Sequence, residues 1–378
     1  FFLFGGRATG KSMYLQNQWS KQFKKNELLW LDLLEPELER ELSLRPSRLI
    51  EQIEAFKSPP KFIIIDEIQK VPKLLDIAHQ LIQKRKLRFA LTGSSIRKLK
   101  HGVANLLAGR AFLYKLFPLT FLELKSGFDL NQILLFGSLP EVINLKSRKD
   151  KLRYLNTYIH TYLREEIVSE QIIRNIEPFR HFLEVAGQCN GSILNHSRIA
   201  REAGVDYKSS QRYFEILEDT LLGFRLPAFS MSIRRQQNKA PKFYLFDLGV
   251  ARALAGLMDV QVQPSTYSFG SCFEHFIIAE IYRLNEYYET HYKLSYFQSK
   301  DGVEIDLILQ KGYEKIFIEI KSKKRVLSND LRNLKSVKKN IPKAKYFLLS
   351  LDAIERKEDG IRLVHWQEGL RRIFKLGS

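Results

Sequence analysis

Two cysteines, Cys189 and Cys272, are all that the 378 residues contain. That excludes a disulfide scaffold and a cysteine-rich zinc site, and it makes a reducing cytoplasm the expected setting. No apolar run approaches the ~20 residues that cross a bilayer. Membrane insertion is therefore not expected, and no secretory leader is visible. Acidic residues are also short, 42 against 61 Lys plus Arg, leaving a net charge of +19. That surplus favours a polyanionic partner, nucleic acid before a membrane surface. Charge alone does not separate DNA, RNA and acidic lipid; DNA is the first expectation. Internal repeats, low-complexity segments and long linkers are missing, so compact domains should follow one another closely. At 44% apolar content the chain is too long for one core, and two to three domains are expected.

What is present begins at the amino end. Gly5, Gly6, Arg7, Ala8, Thr9, Gly10, Lys11 and Ser12 spell GxxxxGKS directly after an apolar run. Glycines allow a tight loop whose backbone N–H groups face phosphate oxygens. Lys11 would reach the β- and γ-phosphates of ATP, and the Ser12 hydroxyl would bind magnesium. A helix starting near Lys11 adds its positive end to the cradle. Strands expected at residues 1–4, 28–31, 62–65, 88–92 and 112–116 alternate with helices at 13–24, 46–56, 73–84 and 102–108. That alternation indicates a parallel sheet covered on both faces.

The strand at 62–65 ends in Asp66 and Glu67. Asp66 would hold magnesium through its water shell, and Glu67 would orient and activate the attacking water. Ser94, or Ser95 as second choice, ends the next strand where a hydroxyl can sense the γ-phosphate. Arg110 is placed to reach a neighbouring subunit's ATP site, which predicts a homo-oligomer; Arg97 is its rival.

The runs GGRATGKS, IIIDEIQKVP, LTGSS, LLAGRA and LFGSLPEV resemble an AAA-type ATPase family of prokaryotes, mostly uncharacterised. The likeness continues from NKAPKFYLFDLGVA to the end. It implies an α/β protein with four parts: a P-loop ATPase domain with a parallel sheet (1–120), a helical lid or linker (121–178), a winged-helix domain (179–245) and a PD-(D/E)xK nuclease-like α/β domain (246–378).

In the third part, residues 197–205 read as a helix with a glycine turn, and 209–222 as a recognition helix. Arg198, Lys208, Ser210 and Arg212 are candidate nucleic-acid contacts, joined by Arg234, Arg235, Lys239 and Lys242 where a wing would lie. A helical domain used for protein contact is the alternative. In the last part, a helix at 272–288 precedes strands at 294–298, 303–309 and 316–321. Residues two apart on a strand share a face, so Asp306, Glu319 and Lys321 would meet. Asp306 and Glu319 would bind magnesium, with Glu274 from the helix completing the shell. Lys321 would position the water or neutralise the transition state. This set resembles the PD-(D/E)xK core. Three functions follow as expectations: an ATP-dependent DNA-processing enzyme that cuts, an ATPase switch or scaffold with an inactive nuclease-like module, and a defence or signalling ATPase whose last domain binds protein.

Overall fold

A computed structural model describes residues 1–95, 112–162, 176–230 and 239–376. The chain divides into two compact units, Phe1–Phe117 with Ile216–Leu222, and Pro118–Glu215 with Gly223–Ser378.

The first unit is built on five parallel strands: β1 (Phe2–Phe4), β2 (Leu28–Asp32), β3 (Phe62–Asp66), β4 (Phe89–Gly93) and β5 (Leu113–Lys115). Their spatial order is β2-β3-β4-β1-β5. Ile63, Ile64 and Ile65 are all fully buried, because a parallel strand under helices on both sides must be apolar on both faces. Ile63 and Ile65 join Phe4, Leu42, Leu49 and Leu74 in one core cluster, while Ile64 joins Leu3, Leu15 and Ala90 in another. The helices are Lys11–Gln22, Pro36–Leu44, Arg48–Glu54 and Leu74–Arg85. All five expected strands are present. The first helix starts at Lys11, as the phosphate-loop reading expects and two residues before the 13–24 pattern, because Gly10 at φ 91° turns the chain and releases Lys11 into helix. Helix Pro36–Leu44, with proline at its first turn, was not foreseen. The expected helix at 102–108 lies outside the described residues.

The second unit opens with helices Phe121–Leu124, Leu130–Phe136, Pro140–Asn144 and Arg148–Thr157. Helix Arg148–Thr157, in the segment expected to be a helical lid or linker, passes into a π-helical turn at Tyr158–Tyr162. Helices Ile176–Gln188, His196–Ala203 and Tyr207–Asp219 follow, then the antiparallel hairpin β6 (Gly223–Leu226) and β7 (Lys242–Leu245). The remainder is a six-stranded mixed sheet in the order β12-β13-β11-β10-β9-β8. Its strands are β8 (Lys293–Gln298), β9 (Glu304–Lys311), β10 (Glu314–Lys321), β11 (Lys345–Ser350), β12 (Arg356–Glu358) and β13 (Ile361–His365). Helix Tyr267–Tyr287 packs Phe273, Ile277 and Ile281 into a cluster with Ile316, Ile318 and Leu349. Leu334 and Val337 of helix Arg332–Asn340 join a second cluster with Ile308, Phe317 and Leu348. Strands β12 and β13 and helix Trp366–Phe374 complete the sheet region at the carboxyl end. The fold class is the α/β class expected, with a parallel sheet in the first unit and a separate sheet near the carboxyl end.

Candidate functional site

Two sites emerge, one in each unit. In the first, β1 ends at Phe4 and the chain turns through Gly5–Gly10 into the helix. Ala8 (φ 63°) and Gly10 (φ 91°) are left-handed, a backbone form that turns successive N–H groups toward one concavity. A Cβ on Gly5 would stand 2.4 Å from the Leu116 carbonyl oxygen, so the close approach admits only glycine. The Thr9 hydroxyl closes the loop onto the Gly6 carbonyl at 2.8 Å. Lys11 is buried, its Nζ donating to the carbonyls of Gly5 (2.9 Å) and Gly6 (3.3 Å), 3.8 Å from Glu67 Oε1. Gly5 and Gly6 are buried and Arg7 and Ala8 half-buried around it.

At the end of β3, the buried Asp66 takes hydrogen bonds from the hydroxyls of Ser12 and Thr92. Burial raises its pKa against those two bonds. Thr92 also accepts the Glu67 N–H at 3.0 Å. The Gln69 amide donates to the Glu67 carboxylate and, at 3.0 Å, to Ser94 Oγ. Lys11, Ser12, Asp66, Glu67 and Ser94 therefore meet at the carboxyl ends of β1, β3 and β4, where open parallel sheets bind ligands. Ser95 is fully buried beside them in sequence. The glycine cradle and the paired hydroxyl and carboxylate oxygens fit a triphosphate with magnesium. Thr92 and Gln69 belong to this network but carry no spacing signature of their own. Arg110 and Arg97 lie outside the described residues.

The second site is a cleft of about 600 Å³ lined by Lys242, Tyr244, Glu274, Glu304, Asp306 and Lys321, among others. A fork in the sheet opens it. The β9–β10 ladder runs to Leu307 opposite Ile318 and stops; the β8–β9 pairing, which starts at Gln310, continues past that point to Ile305 opposite Phe297 and Glu304 opposite Gln298. At the fork, Asp306 Oδ2 accepts the Ile320 N–H at 2.7 Å. Glu319 is 2% exposed. Lys321 Nζ holds its Oε1 at 2.6 Å, and its buried Oε2 has no hydrogen-bond partner among the described residues. Burial, then repulsion from Glu319 and Glu274, pushes the Asp306 carboxyl well above the usual range. Burial also raises Glu319 against the attraction of Lys321. For Lys321, burial is outweighed by Glu319 and Asp306, and the ammonium form is strengthened.

Asp306, Glu319 and Lys321 thus meet as the strand pattern predicts. Glu274 departs from the expected shell: its Oε1 accepts the Tyr244 hydroxyl at 2.9 Å and lies 3.5 Å from Lys242 Nζ. Among the described residues no group of three or more His, Cys, Asp or Glu is arranged to hold a metal ion. Tyr244 and Lys242 engage Glu274, and Lys321 engages Glu319, so the three acids do not converge on one point. The donor chemistry nonetheless fits a hard divalent cation: oxygen ligands, mutual repulsion, and one orphaned buried oxygen.

The helix pair also corrects two expectations. Gly204 at φ 67° ends helix His196–Ala203, and Tyr207–Asp219 follows. Arg198, Lys208 and Arg212 are exposed on these helices, and Lys239 is exposed with its Nζ on the Gln298 carbonyl at 3.0 Å. Ser210 is fully buried, its hydroxyl 3.1 Å from His196 Nδ1. It shares a helix face with Phe214, four residues on, whose ring packs against Phe182 and Phe243. It has no surface to offer a nucleic acid. Lys242 is buried in the carboxylate cleft, not on a wing. Arg234 and Arg235 lie outside the described residues.

Comparison with known proteins gives three family matches. Residues 1–125 match an AAA domain, residues 127–261 a domain of unknown function (DUF8612), and residues 269–368 another domain of unknown function (DUF4143). The chain is similar to uncharacterized proteins of Mycobacterium tuberculosis and Mycobacterium bovis, each 24% identical over 277 residues. These alignments span 73% of this chain and 62% of the relatives' own length. An uncharacterized protein of Haemophilus influenzae is 21% identical, over 80% of this chain and 76% of its own. Among solved structures, the Aeropyrum pernix ORC1 protein in complex with DNA is 14% identical at TM-score 0.28, over 68% of this chain and 86% of that one. AMPPCP-bound DnaA from Aquifex aeolicus is 17% identical at TM-score 0.29, over 57% and 81%. Residues 1–125, which hold the glycine loop and the five-stranded parallel sheet, are thus similar to AAA domains. No helix among the described residues is long and apolar enough to cross a membrane.

Proposed function

We propose that the first unit binds and hydrolyses ATP. The observation that carries this reading is the meeting of Lys11, Ser12, Asp66 and Glu67 around a loop that only glycine can form at Gly5. Lys11, released from the loop carbonyls, neutralises charge on the β- and γ-phosphates. Glu67 orients the attacking water, and Gln69 fixes that carboxylate while linking it to Ser94. Ser12 and Asp66 would hold magnesium, which would supply positive charge at the phosphates. Calorimetry with ATP and a phosphate-release assay test the reading. Lys11→Ala should lower turnover by about 10²-fold or more; unchanged turnover would overturn the assignment.

A second activity is favoured by the orphaned Glu319 oxygen beside Asp306 and Lys321: metal-dependent phosphodiester hydrolysis. Asp306 and Glu319 would hold the ion, which supplies a water of lowered pKa. Lys321 would place its ammonium against the scissile phosphate. The exposed Arg198, Lys208 and Arg212 would hold DNA by its backbone. Cleavage of plasmid and single-stranded DNA with Mg²⁺ or Mn²⁺ should be lost in Asp306→Asn. Equal background from both proteins would leave an ATPase switch with an inactive module.

A further inference from the structure

At the end of the second sheet where β10 begins, residues of β10, β11, β12, β13 and the close of helix Trp366–Phe374 line a groove of about 290 Å³. Lys345, Lys357, Arg362, Arg372 and Lys375 stand in its lining against one carboxylate, Glu314. The acids nearby are already engaged. Glu314 holds Lys345 at 2.6 Å, Glu355 and Glu368 hold Arg372, and Glu358 and Asp359 hold Lys335 at 2.7 and 2.9 Å. Lys357, Arg362 and Lys375 are exposed and form no ion pair among the described residues.

Lys375 needs no ligand to account for it, because the carboxyl end of a helix favours a cation. Lys357 and Arg362 differ. They are directly opposite in the antiparallel pair of β12 with β13, where facing Cβ atoms stand about 5 Å apart and like charges destabilise the pairing. A lysine on a short edge strand keeps other chains from adding to it, but the arginine opposite only repels that lysine. Arg362 is also positioned: Phe347 is its register neighbour on β11, and its guanidinium lies 6.0 Å from the centre of that ring. An anion between the two side chains converts their repulsion into attraction, with a planar fork from Arg362 and a point charge from Lys357. We propose that this groove is a nucleic-acid surface, in which Lys357 and Arg362 take a backbone phosphate and Lys345 and Lys375 flank it. A concave surface suits a strand better than the flat face of a bilayer. Tyr313, fully exposed where β9 turns into β10 and next to Glu314, offers a base a ring to stack on. The groove needs no metal, and it acts whether or not Arg198, Lys208 and Arg212 also touch DNA.

The probe is a fluorescein-labelled single-stranded oligonucleotide, titrated with the full chain in EDTA without ATP and read by anisotropy. Lys357→Gln with Arg362→Gln should weaken binding about tenfold or more and flatten the plot of log affinity against log salt by about 1.4. Lys146→Gln with Lys149→Gln removes the same charge from exposed residues elsewhere and should bind like the parent. Equal weakening by both pairs reduces the effect to net charge and overturns the inference. Weakening by Lys208→Glu with Arg212→Glu, while the groove pair binds like the parent, also overturns it and spares the helix contacts. No binding by the parent overturns both. A second measurement needs no variant: the bound oligonucleotide should protect Lys357 and Lys375 of the parent from acetylation, read by mass spectrometry, and leave Lys146 and Lys149 reactive. Unprotected Lys357 in the saturated complex counts against the groove. Vesicles of phosphatidylcholine with phosphatidylserine form the last arm. If the groove pair loses vesicle binding and keeps oligonucleotide binding, the surface belongs to a membrane and the inference falls.

Discussion

Glu280 is a fully buried carboxylate, with Oε2 accepting the Phe121 N–H at 3.1 Å and Oε1 3.3 Å from Arg283. Arg283 also donates to the Leu119 and Phe246 carbonyls and to Ser138 Oγ, so the pair knits the segment after residue 118 to helix Tyr267–Tyr287. Burial, only partly offset by Arg283, pushes the Glu280 pKa up to about 7 from an ordinary 4.5. Between those values the folded chain holds a proton that the unfolded chain has released. Its contribution to stability is therefore present below about pH 4.5 and declines as pH rises to 7, by roughly 3 kcal/mol. His275 works in the opposite sense: burial lowers its pKa to about 4, so the unfolded chain takes up its proton first as pH falls. Comparison of Glu280→Gln with the parent isolates the carboxylate. The parent's denaturation midpoint should fall relative to the variant's from pH 4.5 to 7.5, and parallel profiles would refute the assignment. Nothing in the local sequence marks Glu280 as buried, because the Phe121 amide it accepts lies 159 residues away.

Elements were legible wherever a local pattern is complete. The all-apolar run of β3 announces a central parallel strand, and the alternation in β9 and β10 puts Asp306, Glu319 and Lys321 together. The fork between these strands is not a local property. It arises because the pairing of β10 with β9 ends at Leu307 while β8 stays paired with β9 as far as Glu304, leaving the Asp306 carboxylate to accept a β10 amide. The same limit applies to the recognition-like helix. Its existence follows from hydrophobic spacing, but which hydroxyl is buried depends on packing, and the Phe214 face claims Ser210. Lys242 reads in sequence as one more basic residue of a wing; only the pairing of β7 with β6 carries it into the acids.

At the scale of the whole chain, the +19 charge predicts DNA affinity that falls steeply with salt. How much resides on the helices can be separated from the rest. The double variant Lys208→Glu with Arg212→Glu should weaken binding and flatten the plot of log affinity against log salt by a slope of about 2. Fluorescence anisotropy with a labelled duplex measures this. An unchanged slope would move the DNA-binding surface elsewhere on the molecule.

By itself the sequence determined the P-loop, the strand–helix alternation and the acid–lysine pattern, because each is a short-range regularity imposed by backbone geometry and phosphate chemistry. Tertiary structure decided which charges face one another. Glu274 meets Lys242 and Tyr244, Glu280 meets Arg283 and the Phe121 amide, and Ser210 turns inward. Most of these partners are far apart along the chain, and burial in a shared low-dielectric interior, a property of packing alone, sets what each charged pair does.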